Sequence, residues 1–203
     1  MPVRDSVTIV GASLAGLRAA ETLRRDGFPG RITLIGDEPH APYDRPPLSK
    51  QLLAGDWEVD RISLSPTERM SGLDLDMRLG QRATALDVSA HTIDIEGVAE
   101  GYDCLLIATG ARCRTLPGTE GLAGVHTLRT LDDSIAIRDA LRSGPRRVVV
   151  VGAGFIGAEV AATAVGYGAP VTMVEALPVP MGRVLGDTVG DVVAGVHVDN
   201  GVD

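Results

Sequence analysis

The feature that most limits what this chain can become is a repeat. A short apolar strand, a glycine-rich turn, a helix and a second strand closed by an acid occur near the start and again from Arg147. The first copy reads SVTIV (6–10), GASLAG (11–16), a helical run to Asp26 and RITLI (31–35). In its helix Leu14, Leu17, Ala20 and Leu23 fall at core spacing, and Gly27 is the terminator. The second copy reads VVVV, GAGFIG (152–157), an Ala-rich helix to about Tyr167 and VTMVE (171–175). Each copy is a βαβ plan, and near-continuous apolar strands of this kind are the parallel ones of α/β proteins. The expected fold is therefore α/β, with two Rossmann-like dinucleotide-binding units.

Composition narrows the class further. A chain of 203 residues can bury a real core, and a hydrophobic share of 44% with only 3% aromatics suits aliphatic parallel strands. A formal charge of −8 and so few aromatics count against nucleic-acid binding, which needs basic patches or stacking platforms. The run VTIVGASLAGLRAA lacks a net-positive leader and carries Gly11, Gly16 and Arg18, so it reads as strand, turn and helix and not as a signal peptide. No apolar run reaches the roughly 18 residues of a membrane span. The expectation is a soluble, cytoplasmic protein with no membrane or nucleic-acid partner. Cys104 and Cys113 form neither a CxxC nor a CxxxxC and read as reduced thiols. No metal site is expected.

Between the repeats lie YDRPPLSK (43–50), a rigid basic elbow, and the alternating segments LDLDMRL, RATALDV and HTIDIE. These last, over 75–96, predict a small antiparallel insertion. DCLLIA (103–108) predicts a fully buried strand ending at Thr109-Gly110, and a link rich in Pro117, Gly118, Gly121 and Gly124 follows. Thr130 with Asp133 forms a helix-capping pattern before SIAIRDAL, which Gly144-Pro145 stops. The expected domains are 1–110 for the first nucleotide and 111–203 for the second. The second is expected to be incomplete, because Gly201-Val202-Asp203 falls where its third strand should begin.

A glycine turn between strand and helix lets backbone N–H groups meet a pyrophosphate at the helix N-terminus. Gly152, Gly154 and Gly157 supply the full G-x-G-x-x-G, while the first turn has Gly11, Ser13 and Gly16, with a small serine in the middle place. An acid closes each second strand: Asp37, beside Glu38, and Glu175. A carboxylate there accepts hydrogen bonds from both ribose hydroxyls of an adenosine. Acids at strand ends are also routine, but that explanation must hold twice at matching places. Glu175, with no arginine immediately after it, should repel a 2′-phosphate, so NADH is expected over NADPH. Two adenine-dinucleotide sites suggest FAD and NAD held for hydride transfer.

The segments GASLAG, LIGDE, YDRPPLSK, LLIATGARCRTLPG, LRTLDD and VGAGFIGAEVAATA, in this order, resemble the FAD-dependent ferredoxin, rubredoxin and putidaredoxin reductases. The resemblance implies an NADH-oxidising flavoprotein. It places Gly11, Ser13, Ala15 and Gly16 at the FAD phosphates, Asp37 at the adenosine ribose and Ala83 at the adenine end. It sets Arg45 and Lys50 along the flavin and its phosphates, Thr109 and Gly110 at the crossover beside the cofactor, and Arg129 near FAD. For NAD it implies Gly152, Gly154, Ile156, Gly157 and Glu175. Lys50 and Glu159 are the catalytic positions it implies. Pro46 and Pro47 fix φ and help start a helix, so Lys50 is presented in few conformers. A cation at the flavin edge stabilises the charge that hydride brings. Glu159 carries two readings: a border of the nicotinamide pocket, or a helix-start carboxylate favoured by the dipole.

Disulfide reductases of this fold use a cysteine pair, which is absent here. The flavin is therefore expected to pass electrons directly to a ferredoxin- or rubredoxin-type one-electron acceptor, of the sort that would feed a monooxygenase or dioxygenase. Arg24-Arg25, Arg112/Arg114 and Arg146-Arg147 read either as solvated surface or as docking points for an acidic ferredoxin. Members of that family are much longer, so the chain reads as a truncated reductase whose activity as it stands should be weak. The alternatives are a NADH-dependent FAD oxidoreductase with another acceptor and a non-catalytic nucleotide-binding remnant. A plain NAD-dependent dehydrogenase would not need the duplicated unit or the elbow.

Overall fold

The computed structural model describes residues 5–145 and 147–203. They form two compact units, one from the residues up to Asp44 with Ile62–Arg112, the other from Arg45–Arg61 with Cys113–Asp203. The later crossing lies close to the expected boundary at 110/111. The earlier division falls inside the elbow, with Tyr43 and Asp44 in the first unit and residues 45–50 in the second.

Along the chain, β1 (Ser6–Val10), α1 (Leu14–Arg25) and β2 (Arg31–Gly36) build the first βαβ plan. Asp26 caps α1 and Gly27 follows at φ +82°, where a side chain would be strained. The chain then gives Arg45–Arg61 to the second unit, with a 3-10 turn at Pro46–Ser49 and α2 (Gln51–Ala54). It returns through α3 (Thr67–Ser71), β3 (Leu75–Leu79), β4 (Ala83–Asp87), β5 (Thr92–Ile95), β6 (Val98–Gly101) and β7 (Leu105–Ile107).

The first unit's main sheet runs β3-β2-β1-β7, all parallel, with β1 and β2 in register from Ser6↔Arg31 to Val10↔Ile35. Alternation along these strands sorts the core. Val7, Ile9, Ile32 and Leu34 pack with Ala20 of α1, while Val10 and Ile35 pack with Ile93 and Ile95 of the antiparallel sheet β4-β5-β6.

Two expectations differ from the structure, and one strand is unexpected. LDLDMRL supplies β3, which pairs in parallel with β2 and takes no part in the antiparallel set. Its alternation reports an edge strand with half-covered faces, and a period of two does not distinguish parallel from antiparallel. The third antiparallel strand is instead β6, whose VAEG has too little apolar patterning to be seen. Nor is β7 fully buried: it is an edge, with Ile107 60% exposed.

In the second unit α4 (Leu131–Arg142) starts at the expected capping box. Thr130 Oγ1 accepts from the Asp133 N–H at 3.1 Å, and the Asp133 carboxylate accepts from the Thr130 N–H at 2.9 Å. Then come β8 (Val148–Val151), α5 (Phe155–Gly166) and β9 (Val171–Val174), with β8 and β9 parallel. The small residues Ala158, Ala161 and Ala164 are the buried face of α5, and Ala161 and Ala164 meet Leu53, Leu141, Val150, Val171 and Val202 in one core. Two further helices, α6 (Gly182–Leu185) and α7 (Asp187–Asp199), lead to Val202, which bridges Val171 in parallel. This single bridge lies outside any strand, and the sheet of the second unit has two strands among the described residues. Among the described residues no helix is long and apolar enough to cross a membrane, and no cluster of metal-ligating side chains occurs.

Candidate functional site

The two glycine turns share one internal geometry. The Gly11 N–H donates to Ile35 O, and the Gly152 N–H to Val174 O, each at 2.8 Å. The helices then start alike, with Leu17 N to Ser13 O and Ala158 N to Gly154 O, each at 2.9 Å. A Cβ on Gly16 would lie 2.0 Å from Gly11 O, and one on Gly157 would lie 2.0 Å from Gly152 O. The third glycine is therefore demanded by the protein's own packing. The first is demanded by φ, +123° at Gly11 and +100° at Gly152. In the first unit a Cβ at Gly11 would also meet Ala108 O at 2.1 Å, which sets the turn against the backbone that leads into Thr109.

Gly154 is different. Its φ of −79° suits any residue, and a Cβ there would have no heavy atom within 4 Å. Nothing among the described residues asks for glycine at this place. The open space lies at the start of a 12-residue helix, where backbone N–H groups and the dipole favour an anion. The residues present fit a dinucleotide pyrophosphate.

The acids are held differently. Glu175 Oε2 accepts from the Ala153 N–H in the turn at 2.7 Å, and Oε1 accepts from Ala176 and Leu177 at 2.8 and 3.0 Å. The bonds from Ala153 and Leu177, helped by Ala176 and the positive charge of Arg183, outweigh partial desolvation. They hold this carboxyl below the usual carboxylate range. Asp37 is exposed and pairs with Arg112 at 3.0 Å.

Residues 45–50 of the elbow form a second cluster, inside the second unit. Lys50 Nζ lies 2.8 Å from Glu159 Oε2, and Ser49 Oγ donates to the same oxygen at 2.5 Å. Desolvation opposes the charge on Glu159, but the bonds from Lys50 and Ser49 and the lysine's charge overcome it and keep its carboxyl below the usual range. Arg45 donates to the Arg129 carbonyl at 2.6 Å, joining two more of the expected residues.

The remaining positions fall as follows. Ala15 is exposed in the first turn of α1, Ala83 opens β4 at a register shift, and Thr109 and Gly110 are exposed just past β7, Gly110 at φ +70°. Ile156 is exposed in the first turn of α5. Cys104 and Cys113 are free thiols. Arg24 is no free docking cation: its guanidinium donates to the carbonyls of Phe28, Gly30, Leu73 and Asp74. Arg112 is taken by Asp37, and Arg146 lies outside the described residues. Sequence reasoning missed Ser49 and Arg112 as partners of site carboxylates. Ser49 adjoins Lys50 in the quoted elbow, which was the signal available; Arg112 gave none beyond its charge.

A parallel sheet whose first strand ends in such a turn, built twice with an acid beyond each, defines a dinucleotide-binding α/β protein. The chain belongs to the pyridine nucleotide-disulphide oxidoreductase family, whose model matches residues 5–203. It is 41% identical over 199 residues to rhodocoxin reductase of Rhodococcus erythropolis, covering 97% of this chain and 46% of the relative. It is 45% identical over 188 residues to the biphenyl dioxygenase system ferredoxin--NAD(+) reductase component of Paraburkholderia xenovorans (strain LB400), covering 92% of this chain and 46% of that one. Among solved structures it superposes on putidaredoxin reductase in its covalent complex with putidaredoxin, with a TM-score of 0.91 and 36% identity, over 98% of this chain and 49% of that one. The chain spans about half the length of the curated relatives it matches.

Proposed function

We propose that this chain serves in a flavoprotein reductase that takes electrons from NADH through FAD to a ferredoxin- or rubredoxin-type acceptor. The relatives named above as ferredoxin or rhodocoxin reductases support the acceptor class, and one of them serves a dioxygenase system. In this reading residues 1–110 bind FAD through Gly11, Ser13, Ala15, Gly16, Asp37, Ala83, Thr109 and Gly110. Residues 111–203 bind NADH through Gly152, Gly154, Ile156, Gly157 and Glu175, while Arg45, Lys50 and Arg129 are further FAD positions. The setting is cytoplasmic, where NADH is generated.

The observation that carries the reading is the Lys50–Glu159 pair, 2.8 Å long, with Glu159 one turn into the helix that the second glycine turn opens. FAD, when bound, supplies the conversion of a two-electron hydride transfer into one-electron steps. The chain's own part is electrostatic and steric. Lys50 Nζ lies beside the Glu159 carboxylate on a segment that Pro46 and Pro47 restrict, so it is presented in few conformers. Glu175 is held ready for ribose hydroxyls by three backbone N–H groups. Its charge would meet a 2′-phosphate as a like charge, which favours NADH.

The test is to load the chain with FAD and follow the loss of flavin absorbance on mixing with NADH without oxygen. Lys50→Met should slow that loss about tenfold or more while leaving the bound flavin nearly unchanged. Equal rates in the two proteins would contradict the role given to Lys50. A chain that binds NADH but takes up no FAD would favour a nucleotide-binding protein without electron transfer.

A further inference from the structure

We infer that Ser134, Thr163 and Tyr167 are positioning residues, whose hydroxyls hold the backbone of the elbow and so set Lys50 against Glu159. The elbow cannot hold itself. Its 3-10 turn spans Pro46–Ser49 and α2 spans Gln51–Ala54, four residues each, far below the length at which helices persist alone. Such short turns leave terminal carbonyls to be satisfied from elsewhere. Lys50 sits at the junction of the two and depends on both.

The carbonyls of Pro47, Gln51 and Leu52 accept from nearby backbone N–H groups, whereas those of Leu48, Ser49, Leu53 and Ala54 meet hydroxyls from distant segments. Ser134 Oγ, fully buried on α4, donates to Leu48 O at 2.7 Å. Thr163 Oγ1 lies 3.0 Å from Ser49 O and 3.0 Å from Glu159 O, so its one proton is shared between the elbow and its own helix. The Tyr167 hydroxyl lies 2.8 Å from Leu53 O and 2.9 Å from Ala54 O, at the end of α2. Glu159, Thr163 and Tyr167 are spaced four apart on α5 and at its cap, and therefore share one face. That face presents the carboxylate to Lys50 and two hydroxyls to the backbone on either side of it. Loss of a hydroxyl would let the elbow shift by a fraction of an ångström, which a charge-assisted bond feels directly.

The inference rests on the reading of Lys50 and Glu159 as a functional pair, and its test keeps the two separable. The chain without added cofactor is labelled at the glutamate side-chain carboxyls, and Glu159 is assigned with Glu159→Gln and titrated by NMR. The charged group that faces Glu159 is Lys50, with the Ser49 hydroxyl beside it. Lys50→Met should move the Glu159 midpoint up. Thr163→Val and Tyr167→Phe, which keep shape and remove only the hydroxyl, should move it part of the way in the same direction, and Thr163→Ser should restore it. Ser134→Ala should do the same if it folds; if it does not, the other two decide. Variants that lose thermal stability yet leave the Glu159 midpoint where it was would show that the hydroxyls merely stabilise the fold, and would overturn the inference. A midpoint unmoved by Lys50→Met would instead refute the pair itself.

Discussion

The two glycine turns share the bond of their first glycine and the start of their helix and differ in the acid that follows. Ile35 and Val174 each accept from the first glycine of their turn, which makes Gly36 the counterpart of Glu175. A Cβ at Gly36 would lie 2.6 Å from the Ala12 Cβ, so the first unit carries its acid one residue later. From there Asp37 pairs with Arg112 in solvent, whereas Glu175 is clamped to its turn. The third glycine of each turn is thus fixed by packing, while the acid depends on how closely the strand end approaches the turn.

The sharpest way to break the parallel is at the third glycine. Gly16→Ala and Gly157→Ala each drive a Cβ into a carbonyl oxygen, and the helix must move. Each should destabilise its unit by about 3 kcal/mol, at the upper end for overpacking, measured by urea unfolding. A clear difference between the two losses would mean that the turns are not equivalent.

Glu175→Ala comes next. It releases three backbone N–H groups at a partly exposed site and should cost about 1 kcal/mol. It should also narrow the preference for NADH over NADPH in measured affinities. Because the folded-state Glu175 carboxyl is held below its unfolded value, its contribution is present above the unfolded value and is lost as pH falls through the folded one. The wild-type melting temperature should therefore fall more steeply than the variant's as the pH is lowered through the carboxylate range.

Much of this was legible beforehand where the signal was local. Both turns, the capping box at Thr130 and the stop at Gly27 sit within a few residues of what they control. β3 was misplaced because alternation reveals exposure and not strand direction. α7 went unseen because its valines favour strands, and its place depends on packing: a Cβ at Gly190 would lie 2.4 Å from Val179 Cγ2. The Lys50–Glu159 bond and the hydroxyls around it join residues far apart in sequence, and a single sequence gives no sign of such contacts. The resemblance singled out both charged residues, but only the fold pairs them.

A smaller effect is expected in the first unit. Arg112→Ala removes an exposed ion pair and should change stability by less than about 0.5 kcal/mol, with no change in the first turn's own bonds. A larger loss in chemical unfolding would mean that Asp37 supports its turn as Glu175 does.

Gly154 is the place where ligand and fold make opposite demands, for on the proposed function it is open to admit a pyrophosphate and the fold does not need glycine there. Gly154→Ala should lower the melting temperature by no more than a few degrees, because capping by Gly and Ala differs by about 1 kcal/mol. NADH affinity, measured by calorimetry on the same protein, should fall about tenfold as the Cβ enters the pyrophosphate's place. Unchanged affinity, or a loss of stability like that of Gly157→Ala, would contradict this reading of Gly154.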